Sequence, residues 1–292
     1  MLNHIEGATS EQTQADSKLW WEKNPMGYDW HRAILAKPGS PEFFEEIDQR
    51  FFGSSPFYAG QRPFERLIPF HDLKGKRVLE IGCGLGAHAQ LLAEAGCHLT
   101  CIDLTQKAVD MTQRRLALRG LPADVRCMDA EQIAFPGGEF DFVWSWGVIH
   151  HSANTERIVR EVHRLLKPSG EVRFMVYHKR SFLTCTSVVR GIASGKVFKG
   201  MSVADILSFY ADGYLARFYT RSEIVEMLTR CGFSSADTCV LGQKSELLPL
   251  PGTGASGRVK SALLARFPDR LAERLLSAVG SFLLAIARKG PH

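Results

Sequence analysis

Two carboxylates at strand ends and a glycine cluster between them define the first legible chemistry. Glu80-Ile-Gly82-Cys83-Gly84-Leu-Gly86-Ala87 closes one short apolar run and opens a helical one. Glycines there allow a sharp backbone turn and let a ligand approach with no side chain in the way. Asp103 follows Gly86 by 17 residues, at the end of the next apolar run. A carboxylate in that place can accept from both ribose hydroxyls. Asp129-Ala130 ends a third run, where its carboxylate can accept from an adenine amino group. The set points to a nucleoside-containing cofactor. Two further pairs supply candidate proton acceptors: His150-His151 after a fourth run, and Tyr177-His178 at the close of a fifth. Imidazole titrates near neutrality, which suits proton removal.

Strands alternating with helices must position these groups. The pattern predicts strands at 77–81, 98–102, 125–128, 140–144 and 171–177, with helices at 87–95, 106–119 and 155–166. Such alternation implies a parallel sheet covered on both faces. Ligands then bind beyond the carboxyl ends of the strands, where the carboxylates and histidines fall. Gly82-x-Gly84-x-x-Ala87 also satisfies the dinucleotide pattern, so the turn alone leaves nicotinamide and sulfonium cofactors both open.

The stretches VLEIGCGLGAHAQLLAEAG, CIDLT, MDAEQIAFPGGEFDFVWSWGVIHH and LLKPSGEVRFMVYH separate the two. In order and spacing, from about Arg77 to His178, they resemble the motifs of class I S-adenosylmethionine-dependent methyltransferases. The likeness is greatest to the type 11/12/25 small-molecule branch, and continues more weakly through TRSEIVEMLTRCGF at 220–233. The resemblance implies an α/β, Rossmann-like, doubly wound and mostly parallel sheet of seven strands. It implies S-adenosyl-L-methionine as cofactor and S-adenosyl-L-homocysteine as product. Gly82, Cys83, Gly84 and Gly86 then form the turn at the methionine part, and Glu80 shapes that turn. Asp103 holds the ribose and Leu104 packs on the adenine. Asp129 and the Ala130 N–H meet the adenine edge, and Trp146 and Gly147 face the methionine end. Cys83 is given no chemistry of its own.

Methyl transfer from a sulfonium needs an aligned acceptor, excluded water and, for a hydroxyl or an ammonium, loss of a proton. His150, His151, Tyr177 and His178 are the candidates for that last task, although alignment alone can suffice. The aromatic leader LWWEKNPMGYDW reads as part of a lid, with Tyr28 and Trp21 as its first contacts to cofactor and acceptor. Phe43, Phe44, Phe51 and Phe52 are spaced as a core-facing helix. An insertion at about 178–218 is expected to cover the acceptor, with Tyr210, Tyr214, Arg217 and Tyr219 as contacts. Residues 1–17 read as a disordered tail, 18–74 as a helical cap, and 75–292 as the catalytic domain with a second insertion at 245–276. Within it, 258–276 form basic amphipathic helices, read mainly as a solvated cover with a membrane surface as the sharper alternative. The glycines of Pro251 to Gly257 read as a mobile loop.

Composition narrows the classes. The chain has 292 residues, 45% apolar and 23% charged, with net charge +5. This is ample for a large core, and no dense basic stripe calls for nucleic acid. Seven cysteines without a C-x-x-C pair read as reduced, buried thiols of a cytoplasmic protein, with no metal-ligand cluster. The uncharged run Leu275 to Ala287 has 13 residues, short of the ~20 a membrane span needs. The expected partner is therefore a small-molecule acceptor, with O or N favoured as the atom. The competing classes are an RNA or protein methyltransferase, an NAD(P)-dependent oxidoreductase and a non-catalytic binding protein.

Overall fold

The computed structural model describes residues 9–27, 33–248 and 254–291. Its centre is one sheet. Strands β1 (Arg77–Ile81), β2 (His98–Asp103), β3 (Asp124–Cys127), β4 (Phe140–Trp146) and β5 (Leu166–His178) run parallel. A two-residue strand, β6 (Phe218–Tyr219), pairs with the end of β5. β7 (Ser235–Leu241) and β8 (Phe282–Arg288) complete the sheet, with β8 antiparallel to both β5 and β7. The order is β3-β2-β1-β4-β5-β8-β7. The expected seven-strand path is present, with β6 as an extra piece. Chain order reverses between β1 and β4, which makes their carboxyl ends the switch point of a doubly wound sheet.

Strand parity divides the core. Leu79, Ile81, Val143, Val172, Phe174 and Val176 point to one face, beneath α5 (Thr155–Leu165) and α8 (Arg221–Arg230). Val78, Phe142, Trp144 and Met175 point to the other, beneath α3 (Ala87–Glu94) and α4 (Gln106–Leu118). β5 extends further than expected at its start, because Leu166 already pairs with Phe140 across a bulge.

The cap departs from expectation. Residues 10–17, read as disordered, belong to helix α1 (Ser10–Lys23), capped by Thr9 accepting from Gln12 N. Its apolar pattern is weak because part of its inward surface is polar. Ser40 caps α2 (Pro41–Gly53), which buries Phe43, Phe44, Ile47 and Phe51, while Phe52 is half-buried. The insertion after β5 is a pair of helices, α6 (Phe182–Ala193) and α7 (Val203–Tyr210). The later one is α9 (Gly254–Arg266) and α10 (Asp269–Val279). Gly254 and Gly257 are therefore helical rather than part of a loop. Among the described residues, no helix is long and apolar enough to cross a membrane. All seven cysteines are free, but Cys127 and Cys185 are exposed, contrary to the expectation of burial.

Candidate functional site

A cavity of about 1380 Å³ lies over the carboxyl edge of the sheet. Its floor is the glycine turn. Gly82, Gly84 and Gly86 have φ of 78°, 53° and 78°, a region costly for residues with a Cβ. A Cβ on Gly84 would meet nothing within 4 Å, so the turn presents bare backbone to open space. Gly86 caps α3 without a side-chain bond, leaving the positive end of that helix beside the turn. Asp103 ties the turn to β2: its Oδ2 accepts from Gly84 N at 3.0 Å, and its Oδ1 from Thr105 N and Oγ1 at 3.0 and 2.9 Å. Thr112 Oγ1 donates to Gly84 O from α4.

Glu80 is buried in the cavity wall and accepts from the Cys101 thiol. Burial raises its carboxyl to about 8, and the neighbouring Asp103 charge adds to this. Burial also raises Asp103, against the hydrogen bonds from Thr105 and Gly84. Cys83 lines the turn as a buried thiol pushed well up by desolvation. Behind it, Trp144 Nε1 donates to His88 Nδ1 at 3.1 Å, and burial lowers His88 to about 3.

Helix α1 closes the roof. Gln14, Ser17 and Trp21 all line the cavity, at spacings of three and four residues that place them on one helical face. Gln14 is a bridge: its Nε2 donates to Asp129 Oδ1 at 2.9 Å, and its Oε1 accepts from Ala153 N at 3.0 Å. Glu131 N also donates to Asp129 Oδ1. Leu104, Ala130, Trp146 and Gly147 line the same space.

The candidate proton acceptors separate. His151 lines the cavity and meets Trp21 edge-on, with ring centroids 5.2 Å apart. Its Nδ1 lies 2.6 Å from Leu215 O. A carbonyl only accepts, so Nδ1 carries the proton and Nε2 keeps a lone pair. Burial lowers its pKa to about 4, leaving it neutral near pH 7. His150 is fully buried under His151 and Tyr177, with both ring centroids 4.1 Å away, and is not part of the cavity wall. Tyr177 lines the cavity and His178 does not. Successive strand residues face opposite sides, so only one of that pair can face it. His178 instead lies against Gly280 O through Nδ1, at 3.0 Å.

The same parity corrects the insertion. β6 pairs Tyr177 with Phe218 and His178 with Tyr219, so Phe218 enters the cavity and Tyr219 packs on the opposite core. Tyr210 lines the cavity. Tyr214 does not: its hydroxyl donates to Asp16 Oδ2 at 3.2 Å and anchors α1. Arg217 likewise holds the backbone after the histidines, donating to Ser152 O and Ala153 O. Tyr28 lies outside the described residues. Sequence reasoning missed Gln14, Ser17, His88 and the α6 residues Phe182, Leu183 and Val189 in the wall. Only the three-four spacing along α1 could have signalled the first two.

A doubly wound sheet with a glycine turn after β1 and acids closing β2 and β3 is the architecture of a class I methyltransferase. Residues 79–174 match the family described as Methyltransferase domain. The chain carries a class I methyltransferase domain of the type 11 branch, and its cofactor is S-adenosylmethionine. The ubiquinone biosynthesis O-methyltransferase of Aromatoleum aromaticum is 28% identical over 204 residues, covering 66% of this chain and 86% of that protein. The protein of the same name from Chromobacterium violaceum is 34% identical over 120 residues, 40% of this chain and about half of that protein's length at 51%. Over nearly full length, the fold is also that of the [4+2]-cyclase SpnF, with a TM-score of 0.54, 17% identity and 97% of each chain covered.

The residues present fit this cofactor. The volume exceeds the ~300–1,000 Å³ typical of a drug-sized ligand, which leaves space for an acceptor beside it. Gly82 provides a direct test of the turn. A Cβ there would collide with Val148 Cγ2 at a φ of +78°. Gly82→Ala is expected to cost about 1–3 kcal/mol of stability and to weaken S-adenosylhomocysteine binding in titration calorimetry. Unchanged affinity would separate the turn from cofactor binding.

Proposed function

We propose that this chain transfers a methyl group to a hydroxyl of a small-molecule acceptor, held between the sheet edge, α1 and the α6–α7 insertion. The observation that carries this reading is the continuity of one cavity from the glycine turn to an aromatic chamber. Trp21, Trp146, His151, Tyr177 and Phe282 line that chamber together with the floor residues. Similarity to two O-methyltransferases supports oxygen as the accepting atom.

The bound cofactor supplies a sulfonium-activated methyl group. The chain binds and orients it. Asp103, already fixed by Gly84 and Thr105, offers its remaining lone pairs to the ribose hydroxyls. Asp129, held by Gln14 and Glu131, receives the adenine amino group beside the Ala130 N–H, with Leu104 against the ring. The glycine turn, Glu80, Trp146 and Gly147 enclose the methionine end. In this arrangement His151 Nε2 accepts a hydrogen bond from the acceptor hydroxyl and takes its proton as the new O–C bond forms. A neutral imidazole held by Leu215 O can do this with no prior deprotonation near pH 7. Trp21 and Tyr177 confine the acceptor and keep water out.

The test follows label from methyl-labelled S-adenosylmethionine into panels of phenols, amines and RNA. Transfer to hydroxyls is expected. His151→Gln should lower kcat by roughly 10²-fold while S-adenosylhomocysteine still raises the melting temperature as in the parent. Label entering only amines or RNA would refute the acceptor class. Unchanged turnover in the variant would return His151 to a wall residue.

A further inference from the structure

The cavity opens onto a surface that neither cofactor nor acceptor explains. Phe182, Leu183 and Val189 of α6 line the cavity and are also 40%, 49% and 63% exposed, so they form its mouth. The apolar surface continues outward from them. Ile192, Val197, Phe198, Val203 and Phe209 are all exposed, Phe198 at 85%. On the other side, α9 sends Lys260 into the cavity wall and exposes Val259 and Leu263. α6 packs on α7 and on the 3-10 turn Lys244–Leu247 that precedes α9. The two apolar helices therefore border one opening.

Charge selects the occupant. Phe182 to Lys199 contains Arg190, Lys196 and Lys199 and no acid; Gly254 to Arg266 contains Arg258, Lys260 and Arg266 and no acid. Lys196 Nζ lies 3.8 Å from the Phe209 ring centroid, so cation and apolar groups are interleaved. A second copy placed face to face would bring six cations against six. A nucleic acid would engage the cations but leave Phe198 and Ile192 in water. Exposed aromatic and aliphatic side chains set among lysines and arginines are what an interfacial helix presents to anionic lipid.

We infer that the α6–α7 rim and α9 dock on an anionic phospholipid surface, with the cavity mouth turned to the bilayer. Phe198, Ile192 and Val197 enter the boundary between head groups and acyl chains, and Arg190, Lys196, Lys199 and Arg258 meet lipid phosphates. The consequence that a lipid-soluble acceptor enters from the bilayer rests on the proposed methyl transfer; the docking itself does not.

Co-sedimentation of the full chain with phosphatidylcholine vesicles, with and without phosphatidylglycerol, tests this. Binding is expected to need phosphatidylglycerol and to weaken in high salt. Phe198→Asp and Lys199→Glu, neither of which lines the cavity, should each reduce it by about fivefold or more. The melting-temperature gain from S-adenosylhomocysteine, measured on the same samples, should be unchanged, which keeps this test apart from that of the reaction. Absence of binding to either vesicle overturns the inference, as does binding that neither variant alters. A dimer in solution that Phe198→Asp dissociates would assign the surface to a second copy instead.

Discussion

Arg115→Ala is expected to destabilise the fold by about 3 kcal/mol and to lower its melting temperature by roughly 6–12 °C. Arg115 is fully buried, yet it is charged. Its Nη2 meets both oxygens of Asp48 on α2, at 2.6 and 2.5 Å. Its Nε donates to Gln90 on α3 at 2.9 Å, and its Nη1 reaches Leu85 O in the glycine turn at 3.4 Å. The guanidinium also lies 5.4 Å from the Phe44 ring centroid. One side chain thus joins the cap, the turn and two helices of the sheet domain. Alanine would leave Asp48 without its cation and Leu85 O without this donor. Burial already raises the Asp48 carboxyl, so loss of the guanidinium leaves that acid with desolvation unopposed by its main partner. Asp48 keeps some access to water, which holds the cost near the lower end for a broken buried pair. Arg115→Lys keeps the charge at Asp48 but cannot also bond Gln90 and Leu85 O, and should fall between. Thermal unfolding with and without S-adenosylhomocysteine checks both effects. A shift under about 2 °C would show that the cap does not depend on this contact.

The sheet was legible because its strands are short apolar runs closed by glycine or acid. Physical periodicity located β1, β2 and β4 to within two residues. β5 starts earlier than the pattern predicts because Leu166 already pairs with Phe140, while Lys167-Pro168-Ser169-Gly170, with Ser169 at a φ of 63°, bulges between that pair and Glu171. The glycine turn and the carboxylates of the cavity floor were also readable, since glycine and carboxylate requirements are local. The acceptor end was not. Which of two neighbouring residues faces a cavity depends on strand parity, and parity needs the pairing of Tyr177 with Phe218. That pairing admits Tyr177 and Phe218 and turns away His178 and Tyr219. Helix α1 was hidden for a different reason. A polar segment reads as solvated, but Gln14 and Ser17 line the cavity, where Gln14 is bonded to Asp129 and to Ala153 N.

The second large effect is a stability maximum near pH 6.5 in the ligand-free chain. Burial depresses His88 to about 3 and His151 to about 4, and holds His150 well below its ordinary 6.5. His178 shifts in the same direction. Unfolded histidines protonate as pH falls through 6.5, whereas these folded ones stay neutral. The unfolded state then binds more protons, so stability falls as pH drops from 6.5 towards the folded values. Glu80 acts oppositely. Its folded carboxyl, raised to about 8, keeps a proton that the unfolded chain releases above 4.5. Its contribution is full below 4.5 and is lost as pH rises through 8. Between pH 6.5 and 5, His88 and His151 each cost about 1.7 kcal/mol, His150 acts in the same direction, and Glu80 returns about 2, for a net loss of more than about 1 kcal/mol. Above pH 6.5 the Glu80 contribution declines by about 2 kcal/mol to pH 8.5, partly offset by the histidines. Urea midpoints across this range should therefore rise steeply and then fall gently. Glu80→Gln, which cannot ionise, should remove the alkaline decline and steepen the acid limb, and His151→Gln should make the acid limb shallower. A midpoint that climbs steadily through pH 8.5 would show that Glu80 is ionised in the folded chain, and its place beside the methionine end would then be that of a carboxylate ready to meet the cofactor's ammonium group.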